Sequence, residues 1–381
     1  MTIVKLLLVY ATTAVAIAAA EADAWRILYN QGVHSLAQGE PRAAVDEFAG
    51  ANRLQPQNPY VLYGLSAAEF AAGQSGAATE SIHKLLGLKD APFDLLMGAG
   101  ELLASRQMNS LAAEAYQAAR QKAPSLIGGQ KSSVFFENTL AALAARSQND
   151  NELAQHLRSL LKTEPDQPVH YYELGLVLIK NAAFQPAFQL LQAAQIRFPK
   201  TPEILLVYAI ASYLAGHANL AEQAYLELTR LQPDTDQAYF ALGNFYGDEG
   251  RDGEAAAAFH RAIDVNPRNY QNHYMYAVTL ARLQDWQGAA GEFQKTLALD
   301  PAHADSYYWL GKMDLQNGKN EPAKRAFERA VSLEPKHLGA WYQLGRLYQR
   351  EGLTEKARVA FEKQRALRKE YDLGSVALRM P

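Results

Sequence analysis

Residues Asp236 to Asn269 read DQAYFALGNFYGDEGRDGEAAAAFHRAIDVNPRN, and this stretch decides the fold. Its first half carries Tyr239, Leu242, Gly243 and Tyr246 at i, i+3, i+4 and i+7, which is one face of an α-helix. Gly250, Asp252 and Gly253 supply a turn, and Ala255, Phe259, Ala262 and Ile263 then return to the helical spacing. Asn266-Pro267 stops the second helix, because the residue before proline avoids the α region and proline has no N–H to donate. The stretch is a pair of short helices that cannot bury its apolar face alone.

The same 34-residue frame extends in both directions. Units begin at Trp25, Pro59, Phe93, Val134, Pro168, Pro202, Asp236, Tyr270, Ala304 and Leu338, and a seven-residue insert, Ile127–Ser133, separates the third from the fourth. Counted from each unit's first residue, column 8 holds only Gly, Ala or Ser, as at Gly32, Ser66, Ala277 and Gly311. Column 20 is Ala everywhere except Leu153, and column 24 is always large and apolar, from Phe48 to Phe361. Column 32 is proline except at Asp90 and Lys369. Small residues in columns 8 and 20 let two helices approach, and the column 24 side chain fills the gap between them. Stacking on neighbouring pairs buries the rest, which predicts an all-α solenoid.

The pattern Y-x2-L-G-x2-Y, A-x3-F-x2-A and P over Tyr239 to Pro267 resembles the tetratricopeptide repeat, and Trp341, Leu344, Gly345, Tyr348, Ala357 and Phe361 repeat it in the tenth unit. Units five, seven, nine and ten match well; units two, four and six place Glu69, Ala144 and Ser212 where an aromatic is usual. The resemblance covers Trp25 to Tyr371 and implies a right-handed superhelix with repeats one to three over 25–126 and repeats four to ten over 134–371. It also implies that the first helix of each unit lines a groove, with columns 2, 5, 9, 12 and 13 facing inward. The family hosts many interaction roles, so the resemblance speaks to fold more than to task.

Composition narrows the task. The 381 residues include no Cys, which excludes a disulfide framework, a thiolate zinc site, an iron–sulfur cluster and a cysteine nucleophile. A net charge of −3 gives no global reason to bind nucleic acid or anionic lipid. The nine histidines form no H-E-x-x-H and no i,i+4 metal pair, and the 34-residue spacing of His303 and His337 follows from the repeat. There is no G-x-S-x-G, Walker loop or dinucleotide fingerprint. Gly247-Asp248-Glu249-Gly250 falls in an inter-helix turn and reads as turn chemistry. The expectation is a protein that is not an enzyme, has no metal or cofactor, and binds a protein or peptide partner.

The groove columns locate that binding. Column 5 is Tyr in six units, among them Tyr274, Tyr308 and Tyr342, and a tyrosine ladder offers apolar area with a hydroxyl at low entropy cost. The alternative is that these rings pack against the next helix. Columns 9 and 13 of the last four units bring Asn244, Lys312 and Arg346 together with Arg282 and Arg350. Arg282, Lys312, Arg346 and Arg350 are expected to gather beside those tyrosines and to hold carboxylates of an extended partner segment. The alternative is solvated charge countered by Asp305, Asp314 and Glu351. Relatives that clamp a terminal carboxylate pair Lys at column 5 with Asn at column 9; no unit does so here, and the column 6 asparagine ladder of repeat-bearing glycosyltransferases is absent except for Asn30.

Three segments fall outside the regular frame. Met1–Ala24 has Lys5 in a positive n-region, an apolar run from Leu6 to Ala20 and A-x-A options ending at Ala20, Ala22 and Ala24, the layout of a cleaved secretory signal. Export, with the bacterial periplasm as compartment, is the expectation; the alternative is an uncleaved anchor and a membrane-tethered assembly or secretion factor of the cell envelope. The insert Ile127–Ser133 is expected to lengthen a loop, with a hinge as the other reading. Thr354–Tyr371 is rich in Lys, Arg and Glu, as a helix capping an open stack needs to be, and 372–381 is expected as a tail.

Overall fold

The computed structural model describes residues 24–123 and 130–377, with side chains over 24–123 and 133–370. Apart from Ala24, the expected signal segment Met1–Ala24 lies outside the described residues, as does the start of the insert. Among the described residues there is no strand. The first five pairs are α1 (Ala24–Ala37) with α2 (Pro41–Leu54), α3 (Pro59–Ala71) with α4 (Ser75–Leu86), α5 (Phe93–Ser105) with α6 (Asn109–Lys122), α7 (Gln130–Arg146) with α8 (Asp150–Thr163), and α9 (Pro168–Lys180) with α10 (Phe184–Arg197). The other five are α11 (Pro202–Leu214) with α12 (Ala218–Leu231), α13 (Asp236–Asp248) with α14 (Asp252–Val265), α15 (Tyr270–Arg282) with α16 (Trp286–Leu299), α17 (Ala304–Gln316) with α18 (Asn320–Leu333), and α19 (Leu338–Arg350) with α20 (Thr354–Ala377). Eight of these first helices start on the first residue of the 34-residue frame; α1 and α7 start earlier.

The column chemistry explains each pair. A Cβ built on Gly311 would lie 2.8 Å from the Phe327 ring, and one on Gly243 would lie 2.7 Å from Phe259. Column 8 is small because the column 24 side chain of the same repeat lies flat against it. Phe48, Ile82, Leu157, Leu191, Phe293 and Phe327 are fully buried there. Burying such a side chain stabilises by roughly 1.5–3 kcal/mol.

The turn inside each pair has a uniform backbone. Column 15 has positive φ in every unit: Gly39, Gly73, Gly216, Gly250, Gly318 and Gly352, but also Gln107, Gln148, Ala182 and Gln284. The next residue donates its N–H to the carbonyl five residues back, as Gln74 does to Glu69, Arg251 to Tyr246 and Lys319 to Asp314. This is a Schellman closure, which satisfies carbonyls left open at the helix end. The turn signal read at Gly250 is therefore one case of a position shared by all repeats.

The chain divides into two compact units, one ending at Pro199 and the other beginning at Lys200. In the first, one hydrophobic core runs from Tyr29 through Phe136 to Leu143 and so continues past the insert. Gln130 to Ser133 belong to α7, so part of the insert lengthens a helix where a loop was expected. At the other end, α20 continues to Ala377, which makes the start of the expected tail helical. No helix among the described residues is long and apolar enough to cross a membrane.

Candidate functional site

The residues singled out in the groove columns lie on α13, α15, α17 and α19. Helix entry is set by column 34 side chains: Asn269 accepts the Gln271 N–H at 3.1 Å, His303 Nδ1 the Ser306 N–H at 3.3 Å, and His337 Nδ1 the Ala340 N–H at 3.1 Å. These are N-caps. The regular spacing of His303 and His337 has this physical cause.

Because His337 Nδ1 accepts, Nε2 carries the ring proton and donates to Asp305 at 3.0 Å. That hydrogen bond holds the Asp305 carboxyl below the ordinary carboxylate range, against the effect of burial. Asp305, Glu334 and His337 place ligand atoms within 4.8 Å of one another, the one such group among the described residues. With one histidine nitrogen capping α19 and the other donating to Asp305, the group acts as a latch between repeats.

The tyrosine column packs inward. Tyr274 lies 5.9 Å from Phe293, Tyr308 5.9 Å from Phe327, and Tyr342 6.3 Å from Phe361, each a ring of its own repeat. Tyr274 and Tyr308 also lean on His303 and His337, the column 34 histidines that cap the next repeat's first helix, at 4.5 and 4.7 Å. Burial, with help from the Asp305 carboxylate, pushes the Tyr274 hydroxyl up to about 12. Tyr274 and Tyr308 are half-buried, whereas Tyr342 keeps 44% of its surface exposed. Packing therefore accounts for most of the column, and Tyr342 presents the most accessible ring of the three.

The cations divide. Lys312, Arg346 and Arg350 line one depression of about 250 Å³ together with Leu315, Gln316, Gln343 and Leu347. All seven come from α17 and α19, the first helices of the last two repeats. Lys312 Nζ lies 4.0 Å from the centroid of the Trp309 ring, three residues earlier on the same helix, and burial pushes its ammonium group down from the usual lysine value. Trp309 was not singled out from the sequence, although its i, i+3 spacing from Lys312 carries the signal.

Arg282 does not join the depression. It forms an ion pair with Asp252 at 2.7 Å and donates to the Gly247 carbonyl at 3.0 Å. Asn244, half-buried on α13, is not among the lining residues either. Of the three acids expected to counter the remaining cations, two are engaged elsewhere: Asp305 with His337, and Glu351 with Lys324 at 2.9 Å. Asp314 forms no ion pair among the described residues.

Sequence profiles described as tetratricopeptide repeat match residues 209–270, 246–304, 274–320, 304–337 and 338–368. Among curated proteins, a UDP-N-acetylglucosamine--peptide N-acetylglucosaminyltransferase of Giardia intestinalis is 30% identical over 88 residues, which are 23% of this chain and 6% of that enzyme. Among solved structures, MamA from Desulfovibrio magneticus RS-1 aligns at 20% identity over 45% of this chain and 97% of its own, with a TM-score of 0.40. YrrB, described as a TPR protein with an unusual peptide-binding site, aligns at 16% identity over 49% and 96%, with a TM-score of 0.40. A chain of the Cut9–Hcn1 hetero-tetramer aligns at 13% identity over 91% and 94%, with a TM-score of 0.45.

Proposed function

The chain is a tetratricopeptide-repeat protein, and from that premise we propose that it is a non-catalytic scaffold that holds an extended segment of a partner protein against the first helices of its last repeats. One observation carries the reading: the depression between α17 and α19 gathers three cationic side chains that form no ion pair among the described residues. Lys312, Arg346 and Arg350 enter no ion pair among the described residues, while comparable cations such as Arg251, Lys324 and Arg358 are tied to carboxylates. The test is a pull-down from an extract of the source cells with wild-type protein and with Lys312→Ala plus Arg346→Ala. A partner recovered with wild type and lost with the variant is the expected result, while Arg325→Ala plus Arg329→Ala on α18 leaves it in place. Unchanged recovery with the first pair overturns this placement of the groove.

We further propose that the protein is exported, Met1–Ala24 being removed, and that it works in the periplasm. The support is the sequence of that segment alone. N-terminal sequencing of the mature chain checks it: a start between Glu21 and Trp25 in the periplasmic fraction is expected. An intact Met1 in the membrane fraction would instead establish the tethered alternative.

A further inference from the structure

Three cations that form no ion pair among the described residues line one depression. Arg346 and Arg350 stand at i and i+4 on α19, a like-charged spacing that weakens a helix slightly when nothing negative lies between. Lys312 faces the same space from α17, its ammonium held over Trp309 at 4.0 Å and 5.6 Å from the Tyr308 ring centroid. The floor is not uniformly polar. Half-buried Leu315 contributes apolar surface, and Gln316 and Gln343 bring amide donors. A simple inorganic anion would satisfy the cations and leave Leu315 uncovered. A peptide in which an acidic side chain is followed by an aliphatic one would cover both.

Resting on the scaffold reading above, we propose that the depression between α17 and α19 is an anion pocket that seats an acidic side chain inside the partner's extended segment. Arg346 and Arg350 supply paired guanidinium donors to the carboxylate, and Lys312 adds a point charge fixed by its aromatic support. Leu315 takes the neighbouring aliphatic side chain. Recognition then requires charge and apolar contact in one short stretch, which a free acid or an uncharged apolar peptide cannot offer together.

Fluorescence anisotropy tests this on the full protein with an end-blocked, fluorescein-labelled peptide in which glutamate alternates with leucine. The glutamate peptide is expected to bind about tenfold tighter than its glutamine–leucine analogue, the size of a charge-assisted contact, and to weaken as salt is raised. Arg346→Gln plus Arg350→Gln lowers that affinity about tenfold, and Lys312→Met lowers it about threefold. Arg325→Gln, an exposed charge on α18, leaves it unchanged. Circular dichroism of the variants reports that the helices are intact. Equal binding of the two peptides, binding of neither, or indifference to the arginine changes overturns the anion pocket. In each case the scaffold reading is still judged separately by its pull-down. Displacement by inorganic phosphate as effective as by unlabelled peptide would show a small-anion site and overturn the assignment to a peptide segment. Binding only when the peptide's terminal carboxylate is free would overturn the assignment to an internal side chain.

Discussion

At the scale of single residues, the contact between columns 8 and 24 is the tightest condition the fold imposes. Gly311→Ala places a Cβ 2.8 Å from Phe327, so the ring must shift. Ala277 occupies the same column beside fully buried Phe293, so the repeat can accommodate a methyl group. The expected loss is therefore at the low end for overpacking, about 1 kcal/mol in urea denaturation. Phe327→Ala removes the whole ring and is expected to cost about 3–5 kcal/mol. Asp236 offers a pH-dependent case. Burial raises its carboxyl, but hydrogen bonds from Asn269, Asn272 and Asn266 outweigh burial and leave it lowered. All three amides donate to Asp236 Oδ2, at 2.8, 2.9 and 3.2 Å respectively. A carboxylate lowered by folding stabilises fully above its unfolded value of about 3.9, and that stability is lost as pH falls through the folded value. Asp236→Ala is expected to cost about 3 kcal/mol at neutral pH and to flatten the acid limb below pH of about 4 in melting experiments.

At the scale of helices and turns, most of the architecture was legible because packing repeats with the frame. Columns 8, 20, 24 and 32 show it in residue type alone. Column 15 did not, because four of its ten members are Gln or Ala although all ten share one backbone conformation. Those four adopt a left-handed conformation that costs an L-residue about 1–2 kcal/mol. Ala182→Gly and Gln284→Gly are each expected to raise stability by about 0.5–1 kcal/mol, the relief being reduced by glycine's greater freedom when unfolded. A lower melting midpoint for both would contradict the argument. The candidate site was half legible for a related reason. Column position places Lys312, Arg346 and Arg350 on the helices that line one depression, but it gave no sign that Asp252, thirty residues upstream, holds Arg282. Buried pairs follow the columns in a less obvious way. Glu137 faces His156 at 2.7 Å, and His273 faces Glu292 at 2.6 Å, with the acid and base exchanged between columns 4 and 23. The frame fixes where a polar pair can sit and leaves its polarity free.

At the scale of the molecule, each helix pair gains stability from its neighbours, so a pair with only one neighbour is expected to open first. The last column 24 ring, Phe361, is half-buried where Phe327 is fully buried. On its helix α20, Arg358 pairs with Glu355 and Glu362, and Glu370 pairs with Lys336 of the preceding repeat. Amide exchange should therefore be fastest in α20 within Lys200–Pro381 and slow in α15 and α16. Uniform exchange across those helices would contradict a stack held by nearest-neighbour contacts. Where Met1–Ala24 ends up in the cell was legible only as a leader-like pattern, because targeting is read by cellular receptors and leaves no packing signature.

The shared left-handed residue also bears on how such a chain can change its length. A crossover that joins the front of one unit to the back of another at this point meets the same backbone angle on both sides. Joining the chain at Gly250 and Gly318 would duplicate or drop two modules without a helix being cut. Growth and loss in whole modules is thereby the path of least disturbance open to this gene.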